Sequence, residues 1–344
     1  MISSTIVAIL FFAVLACGVH YNVGGGIKQS SLTDKQSVNC MRGVAALLIV
    51  FSHAHFYVQS LGAMRIFKPF GYIGVSLFFF CSGYGVMHQY MLDKSYLNGF
   101  LAKRIKSVYI PYLMATFMYI LFVRDTNIEY GHVIKSLFLV DRILPFAWYI
   151  PVVLGWYLVF FIVSKTFGDC NVSLNVLACL NILWYVVGYL FGLSSFYYNS
   201  TICLTLGCAT ALYNKDLYRL LSKKISIVFT GIGFISSIGL LGLWGDKNDL
   251  IYSVCIFISS TLFIISLFSV GTRIRFNATV PRILGKFSYE IYLTQGIAYS
   301  LLHNSLGSKP ELFWACLIPV LATTTVGTYF LVCITKKWRL YKAV

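Results

Sequence analysis

Acidic side chains are scarce in this 344-residue chain: 11 Asp and Glu stand against 27 Lys and Arg, and charged residues make up only 11%. Soluble domains carry about 25% charged residues, so a freely soluble fold is excluded. No polar stretch is long enough for a separate soluble domain. With 58% hydrophobic residues and a mean hydropathy of +0.79, the chain is an integral membrane protein. The ten cysteines include no CxxC pair and no metal-ligand spacing. Most lie in apolar runs, where a thiol packs as a small hydrophobe, so neither a metal site nor a disulfide framework is expected. The basic residues are spread over many short loops, which argues against a nucleic-acid partner.

What the chain has in abundance is apolar sequence in runs of about 20 residues, the length that crosses a ~30 Å hydrocarbon core as helix. Eleven spans are expected, at roughly 2–19, 42–60, 70–90, 107–123, 147–164, 174–192, 196–213, 225–244, 250–270, 284–302 and 312–334. The start "MISST" lacks the basic residues of a signal peptide, so the first run counts as a span. Assigned to alternate loops, 20 of the 27 basic residues fall on one side and 7 on the other. The positive-inside rule puts the richer side in the cytoplasm. The expected fold is therefore all-α and polytopic, with the N-terminus outside and the C-terminus inside.

Within the second span, "MRGVAALLIVFSHAHFY" carries Arg42, His53 and His55. Eleven residues separate Arg42 from His53, which places them about 20° apart on one helix face and roughly 16 Å apart along it. His55 faces elsewhere. One face thus offers a cation at the cytoplasmic surface and an imidazole near the membrane midplane, where polar groups are costly and call for a role. A long anionic molecule entering from the cytoplasm fits this geometry. A snorkelling arginine with a histidine hydrogen-bonded between helices gives the same spacing.

Four further stretches carry candidates. "GYIGVSLFFFCSGYGV" holds Ser82 and Gly83 among glycines that permit close backbone approach, by a helix or by a ligand. "FLAKRIKSVYIPYL" sets Lys103, Arg104 and Lys106 at the cytoplasmic edge of a span, placed for helix orientation, anionic lipid or phosphate. "FAWYIPVVLGWYLVFF" brings Trp148 to the outer interface, where an aromatic belt is normal. "GKFSYEIYLTQG" supplies Tyr289, Glu290 and Gln295. Glu290 is the one carboxylate placed in a span, and a nearby Lys or Arg is its simplest partner.

Taken in order, "RGVAALLIVFSH", "GYIGVSLFFFCSGYG", "KRIKSVYIPYL", "AWYIPVVLGWYL" and "GKFSYEIYLTQ" resemble the membrane acyltransferase-3 family, from about Asn39 to the C-terminus. The family's members O-acylate, mostly O-acetylate, cell-surface sugars in bacteria. The resemblance implies a ten-helix core over 39–344, preceded by an extra N-terminal helix and cytoplasmic linker over 1–38. It matches Arg42 and Gly43 to the family's Arg–Gly opening, His53 to its essential histidine, and Ser82 and Gly83 to its Ser–Gly pair. Its paired arginines are matched in part. Arg104 fits the first, while the second position holds Ser107 with Lys106 beside it. Where an acidic residue often follows Gly–Val this chain has Ser76, and the last motif ends in Gln295 instead of His.

The resemblance implies acetyl or another short acyl group moving from acyl-coenzyme A to a hydroxyl of a polysaccharide or lipid-linked glycan. Arg42 and Arg104, with Lys103, Lys106, Ser82 and Gly83, would bind acetyl-CoA. His53 would act as general base or carry the acyl group, and Tyr289, Glu290 and Trp148 would support the site; no metal is implied. The expected setting is the bacterial inner membrane, with the acceptor at its outer face. A transporter of acyl groups or glycan precursors, and a non-catalytic envelope-assembly protein, are the competing readings; the absence of an internal repeat disfavours the transporter.

Overall fold

The computed structural model describes residues 19–21, 31–57, 62–123, 129–244, 249–306 and 313–341. The first expected span, 2–19, lies almost wholly outside them. Apolar runs with few breakers dictate helix, and the chain is nearly all α. In order the helices are α1 Lys35–His53, α2 Gly71–Leu92, α3 Phe100–Val123, α4 Tyr130–Leu137, α5 Tyr149–Phe167, α6 Cys170–Leu190 and α7 Ile202–Leu212. There follow α8 Asn214–Leu221, α9 Lys224–Trp244, α10 Asp249–Gly271, α11 Thr279–Lys286, α12 Ser288–Leu306 and α13 Phe313–Tyr341. Each expected span from the second to the eleventh overlaps a helix, though 42–60 runs past the end of α1 and 196–213 meets only the short α7. Among the described residues, six helices are long and apolar enough to cross a membrane, or seven if the bent pair α8–α9 forms one span. α7 has only 11 residues, too short to cross alone. Two short strands were not foreseen: β1 Val19–Tyr21 pairs antiparallel with β2 Ile274–Phe276, Val19 opposite Phe276.

Polar caps punctuate the apolar runs. Asp34 accepts the Ser37 backbone N–H at 3.0 Å and so starts α1. Asp169 accepts from Asn171 and Val172 at 2.8 and 2.9 Å and starts α6. Asp93 ends α2 and caps the turn that follows, taking the Ser95 N–H and hydroxyl. Gly99, at φ 71°, turns the chain into α3.

The core lies where α1, α2, α5, α7 and α12 meet. Ile49, Val50, Phe79, Phe160, Cys203 and Leu204 are fully buried there. Two crossings bring backbones into contact. A Cβ on Gly83 of α2 would overlap the Leu204 carbonyl oxygen of α7, and one on Gly43 of α1 would overlap the Pro281 carbonyl oxygen of α11. Small residues are what permit such approach between membrane helices. The outer faces keep large apolar side chains exposed, among them Phe117, Phe122, Ile162, Ile182 and Phe229, as a lipid-facing surface requires. Cys40, Cys203, Cys208 and Cys255 are buried free thiols that pack as small hydrophobes.

Candidate functional site

The close crossing holds the first half of α1 against α11, the helix that leads into α12, and a cavity of about 310 Å³ opens beside this junction. Arg42 enters it from α1, and Ser82 and Gly85 from α2. Arg104, Ser107 and Val108 come from α3, and Tyr149 and Tyr157 from α5. Lys286 at the end of α11 and Ser288, Tyr289 and Glu290 at the start of α12 complete the wall. Motifs spread over nearly 250 residues of sequence are thereby drawn to one place.

The local fold explains why α3 contributes so many side chains. Its segment Ile105–Tyr109 is a π-helical turn, with the Ile110 N–H bonded to the Ile105 carbonyl. The added residue re-aims the following side chains, and such turns recur at functional sites. Ser107 and Val108 both line the cavity as a result, and the Tyr289 hydroxyl donates to the Val108 carbonyl at 2.7 Å.

Arg104 is held rigidly. Its guanidinium lies 4.7 Å from the Tyr157 ring centroid and 5.1 Å from that of Phe100. It also donates to the Tyr96 hydroxyl. Burial pushes the Tyr96 phenol above its usual pKa, against the opposing pull of Arg104, so it stays neutral and available as acceptor.

Three cations, Arg42, Arg104 and Lys286, face one carboxylate, Glu290, around the cavity. The first turn of α12 adds the positive end of a 19-residue helix. Such a wall favours an anion. Ser288 Oγ and Arg104 Nε are buried with no hydrogen-bond partner among the described residues, as expected of donors that serve a ligand. At about 310 Å³ the space is at the low end for a ligand pocket, enough for part of a long molecule.

Other sequence candidates lie elsewhere. Lys103 and Lys106 are exposed and do not line the cavity, Lys103 lying 5.8 Å from the Tyr96 ring. Gly83 serves the α2–α7 crossing. Trp148 packs between Tyr149 and Phe196, at 6.4 and 5.9 Å between centroids. The cavity also has lining residues that the sequence reading did not select for a site: Lys286, Ser288, Tyr149 and Tyr157. Lys286 and Ser288 stand inside a motif already singled out, which was the available signal.

His53 does not line the cavity. It closes α1, and its ring stacks on Phe146 at 3.7 Å between centroids and 9° between planes. Its Nδ1 and the Oε1 of neighbouring Gln295 are both buried without a hydrogen-bond partner among the described residues. A layer of aromatic rings joins the two places. Phe78 and Tyr149 line the cavity; Tyr149 packs edge-on to Tyr292 at 5.7 Å, and the Tyr292 hydroxyl donates to the Phe146 carbonyl.

Residues 35–333 match the family model of the acyltransferase-3 acyltransferase domain, a range that contains the cavity, the aromatic layer and His53. No curated protein and no solved structure matches the chain. With most of its length accounted for by one family, this multi-pass membrane protein belongs to the acyltransferase-3 family and is a membrane acyltransferase.

Proposed function

We propose that the protein transfers acetyl, or another short acyl group, from acyl-coenzyme A to a hydroxyl of a cell-surface or lipid-linked polysaccharide. The observation that carries this reading is the cationic cavity that Arg42 of α1 enters, eleven residues before His53 closes the same helix. Arg42 and Arg104 would hold the phosphates of the donor. Lys286 would supply the third cation where Ser107 stands in place of a second arginine. An arginine fork matches phosphate oxygens in pairs, whereas lysine acts as a point charge, so Lys286 is the looser of the three contacts. Ser288, whose hydroxyl has no partner among the described residues, would donate to the same anionic group.

The reactive end of the donor would extend toward His53. The cavity stops at Phe78 and Tyr149, so the aromatic layer must open for the thioester to reach the imidazole. Neutral His53 takes the proton of the acceptor hydroxyl as its oxygen attacks the thioester carbonyl. The C–S bond breaks, the proton passes to the departing thiolate, and the products are an O-acyl sugar and free coenzyme A. An acyl-imidazole intermediate gives the same products in two steps. The basic-loop asymmetry supports eleven spans with the cavity mouth facing the cytoplasm of a bacterial inner membrane, and an acceptor that arrives from the outer face.

Surface glycan from a deletion strain complemented with wild type or with membrane-inserted His53→Ala tests this reading by NMR. O-acetyl signals present with wild type and absent with the variant support it and locate the acylated hydroxyl. Equal signals would remove His53 from the chemistry and bring forward the transport and assembly readings.

A further inference from the structure

An imidazole that accepts a proton must present one nitrogen in a fixed direction. One hydrogen bond, with the Gln295 side chain, does not by itself fix the plane of the His53 ring, since Nδ1 has no partner among the described residues. The parallel Phe146 ring does, at 3.7 Å. Phe146 itself sits at φ 65°, a left-handed conformation that a bulky side chain rarely adopts; Leu139 is the other such non-glycine residue described.

Helix α12 holds it there. Tyr292 donates its hydroxyl to the Phe146 carbonyl. One turn later Gly296 meets the same stretch of chain: a Cβ there would lie 2.9 Å from the Pro145 carbonyl oxygen. Two residues on one face of α12 thus bear on two consecutive carbonyls. The outcome is a backbone conformation that turns the Phe146 ring flat onto His53.

We propose that Phe146 and Tyr292 are positioning residues for His53: Tyr292 fixes the strained Phe146 backbone, and the Phe146 ring fixes the plane of the imidazole. The inference rests on the reading of His53 as the reactive group. The cavity cations, of which only Arg42 lies on α1, eleven residues before His53, have no part in it.

The test uses full-length protein in lipid nanodiscs as wild type, Tyr292→Phe, Phe146→Leu, Phe146→Tyr and His53→Gln. Carbethoxylation of His53 by diethyl pyrocarbonate is followed by peptide mass spectrometry, with His55 and His88 as internal references. Turnover is followed with labelled acetyl-CoA and the envelope glycan of the producing cells. Tyr292→Phe and Phe146→Leu are expected to lower kcat on the order of tenfold with the KM for acetyl-CoA unchanged. They should also speed His53 modification several-fold while leaving the reference histidines as they were. Phe146→Tyr, which keeps the ring, should retain both properties. Should Phe146→Leu fail to fold, Tyr292→Phe removes one oxygen only and decides the matter. Unchanged His53 reactivity in folded Tyr292→Phe overturns the proposal. If His53→Gln keeps full turnover, the catalytic reading falls, and the reactivity measurement alone decides whether His53 is clamped.

Discussion

Arg42 and His53 stand on one face of α1, eleven residues and roughly 16 Å apart, and only Arg42 reaches the cavity. The two positions should therefore fail separately. Arg42→Ala removes a charge-assisted contact worth about 1.5–3 kcal/mol. Its affinity for coenzyme A, measured by calorimetry in nanodiscs, is expected to drop about ten- to a hundredfold. His53→Gln is expected to bind coenzyme A as the wild type does.

Arg104 lies against the Tyr157 and Phe100 rings and donates to Tyr96. Lysine keeps the charge but loses the planar stacking and the fork. Arg104→Lys should thus recover little of the affinity that Arg104→Ala loses. Binding isotherms at 50 and 300 mM salt check the electrostatic part, since exposed charge attraction weakens as salt rises. The wild type and Arg104→Lys should lose affinity with salt more steeply than Arg104→Ala.

The α2–α7 crossing has no room for a methyl group at Gly83, where the obstacle is the Leu204 carbonyl and so cannot rotate away. Gly83→Ala should destabilise the protein by about 1–3 kcal/mol or more, the usual effect of overpacking. Gly231→Ala, with open space around the added carbon in the interior of α9, should leave stability unchanged or raise it by up to about 1 kcal/mol. Thermal unfolding in detergent, read by intrinsic fluorescence, distinguishes them.

The helices were legible in the sequence because length and hydrophobicity alone mark a run that must satisfy its backbone internally. The shared face of Arg42 and His53 was legible for the same reason, since it follows from helical periodicity. What packs against that face was not. The 100° rule placed Arg42 but could not show that Phe78, Tyr149 and Tyr292 come between its cavity and His53. The π-helical turn at Ile105–Tyr109 shifts the angular position of every residue after it, so Ser107 and Val108 could not be aimed from an ideal helix. Nor does Phe146 announce its left-handed backbone, which tertiary contacts from α12 impose. Lys286 stood inside a motif that the sequence marks, but its place in the cavity with Arg42 was not legible, because that depends on the α1–α11 crossing.

Asp93 supplies a pH test outside the membrane spans. The Ser95 hydroxyl and N–H hold its carboxyl below the usual Asp pKa. A folded-state pKa below the unfolded one means that the contribution is present above the unfolded value and is lost as pH falls through the folded one. Asp93→Asn should therefore lower Tm near neutral pH. The difference from wild type should shrink as the pH is taken below the ordinary carboxylate range. Melting curves across that range check the sign.

Acyl transfer by purified protein tests the central claim most directly. Wild type and His53→Gln, each reconstituted in lipid and shown to bind coenzyme A, would be supplied with labelled acetyl-CoA and the envelope glycan. The account predicts labelled glycan and free coenzyme A in equal amounts from the wild type, and neither from His53→Gln at undiminished binding. Turnover by His53→Gln at the wild-type rate would contradict it.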